Sequence, residues 1–527
     1  MLILLSILLL FLASLVMLVI RLAWPDFVYH WLIAVGGAFT VWVLVLVAGG
    51  KMPQVIPPGT TVPLTSSQPS ALFLGWPTFL VDRFSWPFAV ALASLVLAII
   101  LTDVARAAEA DWDTWAGCLS LTGLGLAAIL AGNPLTLLLS WMAIDLGELL
   151  ILLGQVKQSA ARERMVVAFS SRLVGSMLLI TAGLVTQAKT GKELTFTEIP
   201  PMAAWLLLLS AGFRLGVLPL QMPFLQDLPL RRGLGTISRL TPAAASFVLL
   251  TRTATTTQVT PLFPYLLVLT GLAAIYGGVI WVMAANELDG RPAWILGLAA
   301  LAVGAALRGQ ASASLAWGLA AILTGGMIFL TSVRGHRLQW FTLLGLWSIS
   351  ALPFSPAWNG AFLFTPPFLV SLILFWLAQV LFLVGYFRHT LRPAPPLAGV
   401  ERWVWLIYPL GLILLFSMQV FLGLRATPTL AGLPSAMWWV SIVPVTIFLV
   451  ALVAIRSDRF PFRSMGLLRS MLSFNWLYRL LCVIYHSVGR LIKFLTEVLE
   501  GEGGVLWALL ILVISLLVFS RTAVNLP

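Results

Sequence analysis

Residues 204–224 read AWLLLLSAGFRLGVLPLQMPF, an apolar segment with the guanidinium of Arg214 near its middle and two prolines, Pro219 and Pro223, soon after it. A fixed charge at bilayer depth is costly unless it is paired or hydrated, so it marks a functional site by default. The prolines remove backbone donors and predict a helix break at that depth. Membranes tolerate such a break only where protein or water binds the freed carbonyl groups. The segment therefore predicts a broken, charged helix inside a helical bundle.

The composition of the chain is that of a polytopic membrane protein. Its 527 residues are 60% hydrophobic and 9% charged, and the mean hydropathy is +1.02. Reading apolar runs of about 17–25 residues as helices, we predict an all-α polytopic membrane fold with about sixteen transmembrane helices. The predicted spans are 2–20, 31–48, 87–101, 114–131, 135–154, 166–187, 203–220, 235–251, 262–285, 293–308, 313–332, 342–360, 366–387, 403–423, 437–455 and 504–520.

The placement of the basic residues predicts the topology. With sixteen spans, loops on one side hold 20 of the 31 Lys and Arg residues and loops on the other side hold 8, while Arg172, Arg214 and Arg239 lie within spans. Because basic loops stay in the cytoplasm, we expect both termini on the outer side. The net charge of +12 is spread over loops and does not indicate nucleic-acid binding. Cys118 and Cys482 lack metal-ligand spacing, so we expect no disulfide framework and no metal site.

Two acidic residues lie inside predicted spans, both in the stretch NPLTLLLSWMAIDLGELLILLG at 133–154. Asp145 and Glu148 are three residues apart and therefore share a helix face. Arg214 is their candidate partner. One interpretation is a carboxylate that loads and releases protons in a hydrated half-channel. The other is a structural ion pair between the fifth and seventh helices, since arginine cannot lose its proton in place.

The segment GFRLGVLPLQMPFLQDLPLRRGLGTISRLTPAAASFVLLTR, residues 212–252, resembles the signature of a membrane-protein family. These are the antiporter-like proton-translocating membrane subunits of respiratory complex I, membrane-bound hydrogenases and Mrp cation/proton antiporters. When the segment is aligned with the family signature, Arg214 occupies the position of the lysine in the family's broken helix. Ser238 occupies the position of the histidine in the next helix. The stretch 133–154 resembles the fifth-helix motif, with Met142 in the place of the family's glutamate.

The resemblance implies two inverted repeats of five helices, helices 4–8 in residues 114–251 and helices 9–13 in residues 262–387. It also implies a polar path for protons, to which we assign Asp145, Glu148, Arg214, Ser238 and Arg239. The chain departs from the family pattern as a divergent member, because its axial lysine position holds an arginine that cannot exchange protons.

The resemblance thins in the second repeat. Asp289 and Arg291 form a predicted polar pair in the loop between helices nine and ten. Ala321 and Gly325 stand where the family carries a histidine and a lysine. No lysine lies in any predicted span, and none of the four histidines lies deep in one. We therefore expect the second half of the proton path to lack titratable side chains.

The two ends of the chain complete the predicted organisation. Residues 1–113 hold helices 1–3 and an exterior loop at 49–86. Residues 388–527 hold the remaining helices, a cytoplasmic amphipathic helix at 474–498, whose apolar residues recur at helical spacing, and a terminal anchor span.

The predicted function is that of an antiporter-like membrane subunit of a complex I-type assembly, of the quinone-oxidoreductase or hydrogenase kind, with an impaired proton path. The alternatives are the membrane subunit of a two-component cation/proton or inorganic-carbon transporter, and a non-conducting scaffold. We expect other membrane subunits, lipid and protons as partners, no nucleic acid, and no cofactor or catalytic residue in this chain. The expected location is the bacterial inner membrane or an equivalent energy-transducing membrane.

Overall fold

A computed structural model describes most of the chain. The described residues are 2–27, 29–56, 76–106, 111–155, 159–221, 231–256, 262–333, 336–364, 369–393, 401–426 and 436–456, with Val483, Ser487 and Arg490. The chain divides into two compact units, Met1–Gly466 and Leu467–Pro527. In the second unit the three described residues are helical, and they lie within the predicted amphipathic segment 474–498.

The first unit is a bundle of α-helices, as its apolar runs predict. Within the described residues the helices are α1 (Leu2–Ala23), α2 (His30–Ala48), α3 (Ser85–Asp103), α4 (Trp112–Ile129), α5 (Pro134–Gln155), α6 (Ser159–Thr190), α7 (Pro201–Leu215), α8 (Arg232–Thr253), α9 (Phe263–Met283), α10 (Arg291–Leu307), α11 (Ala311–Leu330), α12 (His336–Ile349), α13 (Leu369–Thr390), α14 (Val404–Ala426) and α15 (Ala436–Arg456). In this part of the chain ten helices are long and apolar enough to cross a membrane, and several shorter apolar helices accompany them. The protein is an all-α integral membrane protein.

Fifteen of the sixteen predicted spans correspond to these helices, and the sixteenth, 504–520, lies outside the described residues. One difference concerns the seventh span. α7 ends at Leu215 because Gly216 adopts a left-handed conformation with φ +75°, which is a common helix terminator. Pro219 follows in a turn, so the helix stops before the proline rather than at it. Pro223 lies outside the described residues.

The twelfth span also differs from its prediction. A continuous helix was expected over 342–360, but α12 ends at Ile349. Ala351 and Phe354 then take positive φ values of 54° and 64°, and a short 3-10 helix, Trp358–Phe364, follows. Pro353 lies within the irregular stretch, where it cannot donate the hydrogen bond that a continuing helix needs.

The two predicted repeats have the same neighbour order. The first helix of each packs on the fifth, α4 on α8 and α9 on α13, and the third packs on the fourth, α6 on α7 and α11 on α12. The fourth helix is the short one in both, with 15 residues in α7 and 14 in α12. α8 and α11 are buried over almost their whole length. The division into inverted repeats stays a prediction, and this order supports it.

A small antiparallel hairpin, β1 (Gln54–Ile56) and β2 (Phe79–Val81), precedes α3. Asp82 caps α3, because its Oδ1 accepts a hydrogen bond from the backbone N–H of Ser85 at 2.6 Å. Its Oδ2 accepts from Arg252 Nε at 3.1 Å. Burial acts to raise the pKa of Asp82, but the Arg252 charge and the Ser85 hydrogen bonds lower the pKa below its usual value.

Candidate functional site

Helices α5 to α8 converge on five charged side chains, which we call the ion cluster. It consists of Asp145 and Glu148 on α5, Arg172 on α6, Arg214 on α7 and Arg239 on α8. Each of them is at most 4% exposed. Charges buried to this degree are retained only when they are paired.

Arg214 binds Asp145 with both arms of its guanidinium. Nη1 donates to Asp145 Oδ2 at 2.8 Å and Nη2 donates to Oδ1 at 3.0 Å. Nη1 also donates to Ser176 Oγ at 3.2 Å. The guanidinium carbon lies 4.2 Å from the ring centroid of Trp141, a cation–π distance. A bidentate pair fixes orientation as well as charge, so the expected partnership of Arg214 with the acids of α5 is present.

Glu148 is held by two arginines. Arg239 Nη1 donates to Glu148 Oε1 at 2.5 Å, and Arg172 Nη1 donates to Oε2. Arg172 Nη1 also lies 3.5 Å from Asp145 Oδ1, so Arg172 bridges both acids. Arg172 was not among the predicted site residues. The signal for it was available, because three arginines within spans and only two acids require that one acid be shared.

Gly175 allows α6 to approach α7 closely enough to form the cluster. Ser210 Oγ donates to the Gly175 carbonyl oxygen at 2.6 Å. A Cβ atom on Gly175 would lie 2.6 Å from Arg214 Cγ and 2.9 Å from the Ser210 carbonyl oxygen. A side chain at this position would therefore displace Arg214 from Asp145.

The ion cluster is built to hold charge in place. Three guanidinium groups that remain protonated face two carboxylates, and each carboxylate contacts two of them. Arg172 contacts both carboxylates, whereas Arg214 contacts only Asp145 and Arg239 contacts only Glu148. Breaking one side of a buried pair costs about 3–5 kcal/mol, so the loss of a single side chain from the ion cluster would destabilise the protein.

Ser238 does not join the ion cluster. Its Oγ donates within its own helix, to the Gly235 carbonyl oxygen at 3.3 Å. Of the residues assigned to the polar path, the structure brings together Asp145, Glu148, Arg214 and Arg239, and leaves Ser238 aside.

The predicted loop pair of Asp289 and Arg291 is not formed among the described residues. Asp289 Oδ2 accepts from Asn286 Nδ2 at 2.6 Å and stays exposed, whereas Arg291 is 5% exposed and its Nε donates to a backbone carbonyl of its own turn. The tight turn at 286–289 therefore occupies Asp289 locally. The ion pair in this region joins Arg232 Nη2 and Glu287 Oε1 at 2.9 Å.

Five aromatic side chains of α9, α10, α11 and α13 pack together in another part of the bundle. We call these five side chains the aromatic cluster: Trp281, Trp294, Phe329, Phe382 and Tyr386. The centroid of Trp294 lies 5.1 Å from that of Trp281, 5.8 Å from Tyr386, 5.9 Å from Phe382 and 6.3 Å from Phe329. All five are buried.

The indole of Trp294 fills the space beside the two positions where the family carries ionisable residues. Its Nε1 donates to the Ala321 carbonyl oxygen at 3.0 Å, and a Cβ atom on Gly325 would lie 2.5 Å from that nitrogen. A lysine at 325 would not fit beside this indole. The role of Trp294 could not be predicted from the sequence, because a tryptophan in a span is usually ordinary core.

One buried histidine lies close to the aromatic cluster. The predicted span 366–387 leaves His389 outside, but α13 extends to Thr390 and buries this side chain completely. Its ring lies 4.3 Å from that of Trp281, and its Nε2 is 2.9 Å from the Trp281 carbonyl oxygen. The predicted span ends three residues before α13 does, so the sequence analysis did not place His389 in the protein interior. The described residues contain no group of three His, Cys, Asp or Glu side chains that could hold a metal ion.

No family model matches the sequence, and no curated protein is similar to it. Solved structures do match. A chain of the Mrp complex from Dietzia sp. DQ12-45-1b has a TM-score of 0.70 and 15% identity, covering 99% of this chain and 63% of that chain. A chain of the membrane-bound sulfane sulfur reductase, an archaeal respiratory membrane complex, has a TM-score of 0.64 and 16% identity, covering 97% and 99%. A chain of respiratory complex I from Thermus thermophilus has a TM-score of 0.60 and 18% identity, covering 85% and 100%.

The chain has the fold of the antiporter-like membrane subunits. The predicted resemblance is confirmed at the level of the fold. The chain spans 63% of the Mrp chain, less than two thirds of its length, and nearly the whole of the other two. All three relatives belong to membrane complexes of several subunits.

Proposed function

We propose that this chain is an antiporter-like membrane subunit of a complex I-type assembly, of the quinone-oxidoreductase or hydrogenase kind, in an energy-transducing membrane such as the bacterial inner membrane. In this assembly it joins neighbouring membrane subunits, and protons do not pass along its central axis. The fold shared with chains of the Mrp complex, the sulfane sulfur reductase and complex I supports the first part of this proposal.

The ion cluster supports the second part of the proposal, that protons do not pass along the central axis. A proton relay needs groups that gain and lose a proton as their surroundings change. Asp145 and Glu148 are the carboxylates of the first repeat's core, and three arginines hold them as ion pairs. An arginine at the position of the axial lysine removes the exchangeable proton and keeps the charge.

The aromatic cluster supports the same conclusion in the second repeat. A proton wire needs exchangeable sites or water at every step. Trp294 occupies the space beside Ala321 and Gly325, so a titratable side chain at position 325 does not fit there.

Purification of the tagged chain from its native membrane tests the assembly. We expect further membrane subunits and electron-transferring subunits to co-purify in fixed ratio. A chain that purifies alone, or with one soluble partner only, would favour a two-component cation/proton or inorganic-carbon transporter and would contradict the proposed assembly.

Proton uptake by the reconstituted assembly tests whether protons pass along the central axis of this chain. We expect D145N and E148Q variants, compared at equal amounts of intact complex, to pump as the unmodified assembly does, because in our proposal these acids do not relay protons. A large loss of proton uptake in either variant, with electron transfer preserved, would contradict the closed axis and leave the assembly proposal intact.

A further inference from the structure

A cavity of about 400 Å³ lies at the outer predicted end of the bundle, where the beginnings of α3 and α11 meet the end of α14. All three helices are long and apolar enough to cross a membrane, so the cavity lies where spans leave the hydrocarbon. Its volume is in the range of small-molecule sites. Its walls are largely apolar, with Pro87, Leu315 and Leu422 among them.

Two guanidinium groups at this cavity have no acidic partner among the described residues. Arg83 and Arg425 both line it and both are exposed. Each lies over an aromatic ring: the guanidinium carbon of Arg83 is 4.7 Å from the Phe84 centroid, and that of Arg425 is 4.6 Å from the Trp86 centroid. Trp86 is fixed in turn, because its Nε1 donates to the Val45 carbonyl oxygen at 2.9 Å. The stacking orients the two cations without neutralising them.

The first turn of α11 adds a third source of positive potential. It contains no acidic residue, and no side chain caps its free N–H groups. The N-terminus of a long helix attracts anions. Ser312, in this first turn, also lines the cavity and can donate a hydrogen bond. The nearest carboxylate in sequence, Asp82, is occupied by Arg252 at 3.1 Å.

We propose that this cavity binds the headgroup of an acidic phospholipid. The two arginines and the α11 N-terminus take the phosphate, and the apolar wall takes the glycerol backbone and the upper part of an acyl chain. Inorganic phosphate shares the charge but gains nothing from the apolar wall. The site is separate from the ion cluster and does not depend on the proposed function.

Lipid titration of the delipidated protein in detergent, followed by native mass spectrometry, tests the proposal. The probes are phosphatidylglycerol, phosphatidylcholine and inorganic phosphate. We expect one tightly held phosphatidylglycerol, with much weaker binding of phosphatidylcholine. An exposed ion pair of good geometry contributes about 1 kcal/mol, so loss of both cations in the R83Q/R425Q variant should weaken phosphatidylglycerol binding about thirtyfold.

Two variants separate a site from a general effect of charge. K189Q/K192Q removes the same charge from exposed positions on the same predicted side, away from the cavity, and should bind as the unmodified protein does. R83K/R425K keeps the charge and should retain most of the affinity. Equal binding by the unmodified protein and R83Q/R425Q, at unchanged thermal stability, would overturn the proposal. Displacement of the lipid by inorganic phosphate at similar concentration would assign the site to a free anion instead and would also overturn it.

Discussion

The two halves of the bundle have interiors of opposite chemical character. In the first, helices α5 to α8 meet around five buried charges. In the second, five rings of α9, α10, α11 and α13 pack around Trp294. One interior is charged, with an ion-pair partner for every charged side chain, and the other is apolar and closely packed. The two regions therefore fill the interior of the same bundle with side chains of opposite polarity.

The interrupted helices show that the scaffold itself is shared. α7 and α12 both stop in the bundle, and each leaves carbonyl groups without helical partners. In both places a glutamine amide adds a hydrogen bond. Gln221 Nε2 donates to the Phe213 carbonyl oxygen at 2.9 Å, which also accepts from the backbone N–H of Gly216, and Gln379 Nε2 donates to the carbonyl oxygens of Ile349 at 3.3 Å and Ser350 at 2.8 Å. Hydrogen-bonding capacity freed in an apolar interior must be satisfied by the protein, and the two halves do so alike.

The largest expected effect comes from removing the central cation. R214Q leaves Asp145 with one arginine at 3.5 Å and should destabilise the protein by about 3–5 kcal/mol, measured as thermal or denaturant unfolding in detergent. The double variant D145L/R214L removes both charges and should recover most of that loss, since a buried ion pair can often be replaced by apolar groups at little cost. A double variant no more stable than R214Q would show that the unpaired charge of Asp145 is not the cause of the lost stability.

In the second half, added volume should be the damaging change. G325A places a Cβ atom 2.5 Å from Trp294 Nε1, and overpacking of this kind costs about 1–3 kcal/mol. G117A is the matched control, because its Cβ would meet Leu234 at an ordinary 3.6 Å and alanine is the better helix former. Unfolding of the two variants side by side checks this. Equal stability of G325A and G117A would mean that the ring cluster is loosely packed.

The two glutamine contacts should contribute alike. Q221L and Q379L each remove one amide from a helix break, and hydrogen bonds inside membrane proteins contribute about 0.6–1.7 kcal/mol. Q310L serves as the control, because no hydrogen bond of the Gln310 side chain is found among the described residues. A loss of stability in only one of the two variants, in the same unfolding assay, would show that the two helix breaks are not equivalent.

The smallest effect concerns pH. The pKa of Asp82 is lowered in the folded protein, so its pair with Arg252 contributes stability above the ordinary carboxyl pKa, and this contribution is lost as the pH falls through the lowered value. We expect unmodified protein to lose about 0.5–1.5 kcal/mol relative to D82N on acidification below about pH 4. Parallel unfolding curves for the two proteins across that range would contradict this.

Much of the fold was predictable because a bilayer imposes one length scale and one polarity on every span. The helix positions followed from apolar runs, and the meeting of Arg214 with Asp145 followed from the cost of an unpaired charge at that depth. The ends of α7 and α12 were not predictable, since they depend on the left-handed Gly216 and on positive φ values at Ala351 and Phe354. The charge count shows that one acid must be shared, but which arginine bridges the two acids depends on how helices distant in sequence pack. The ring contacts of Trp294 depend on that packing too, which periodicity does not encode.

Infrared difference spectroscopy of the working assembly tests the locked ion cluster most directly. A carboxyl group that takes up a proton gains the C=O stretching band of a neutral acid, and D145N and E148Q assign any such band to its residue. We predict that turnover produces no neutral-acid band that either variant removes, because two arginines contact each acid. A band that appears during turnover and is absent from D145N or E148Q would contradict a locked cluster and show that protons reach this site.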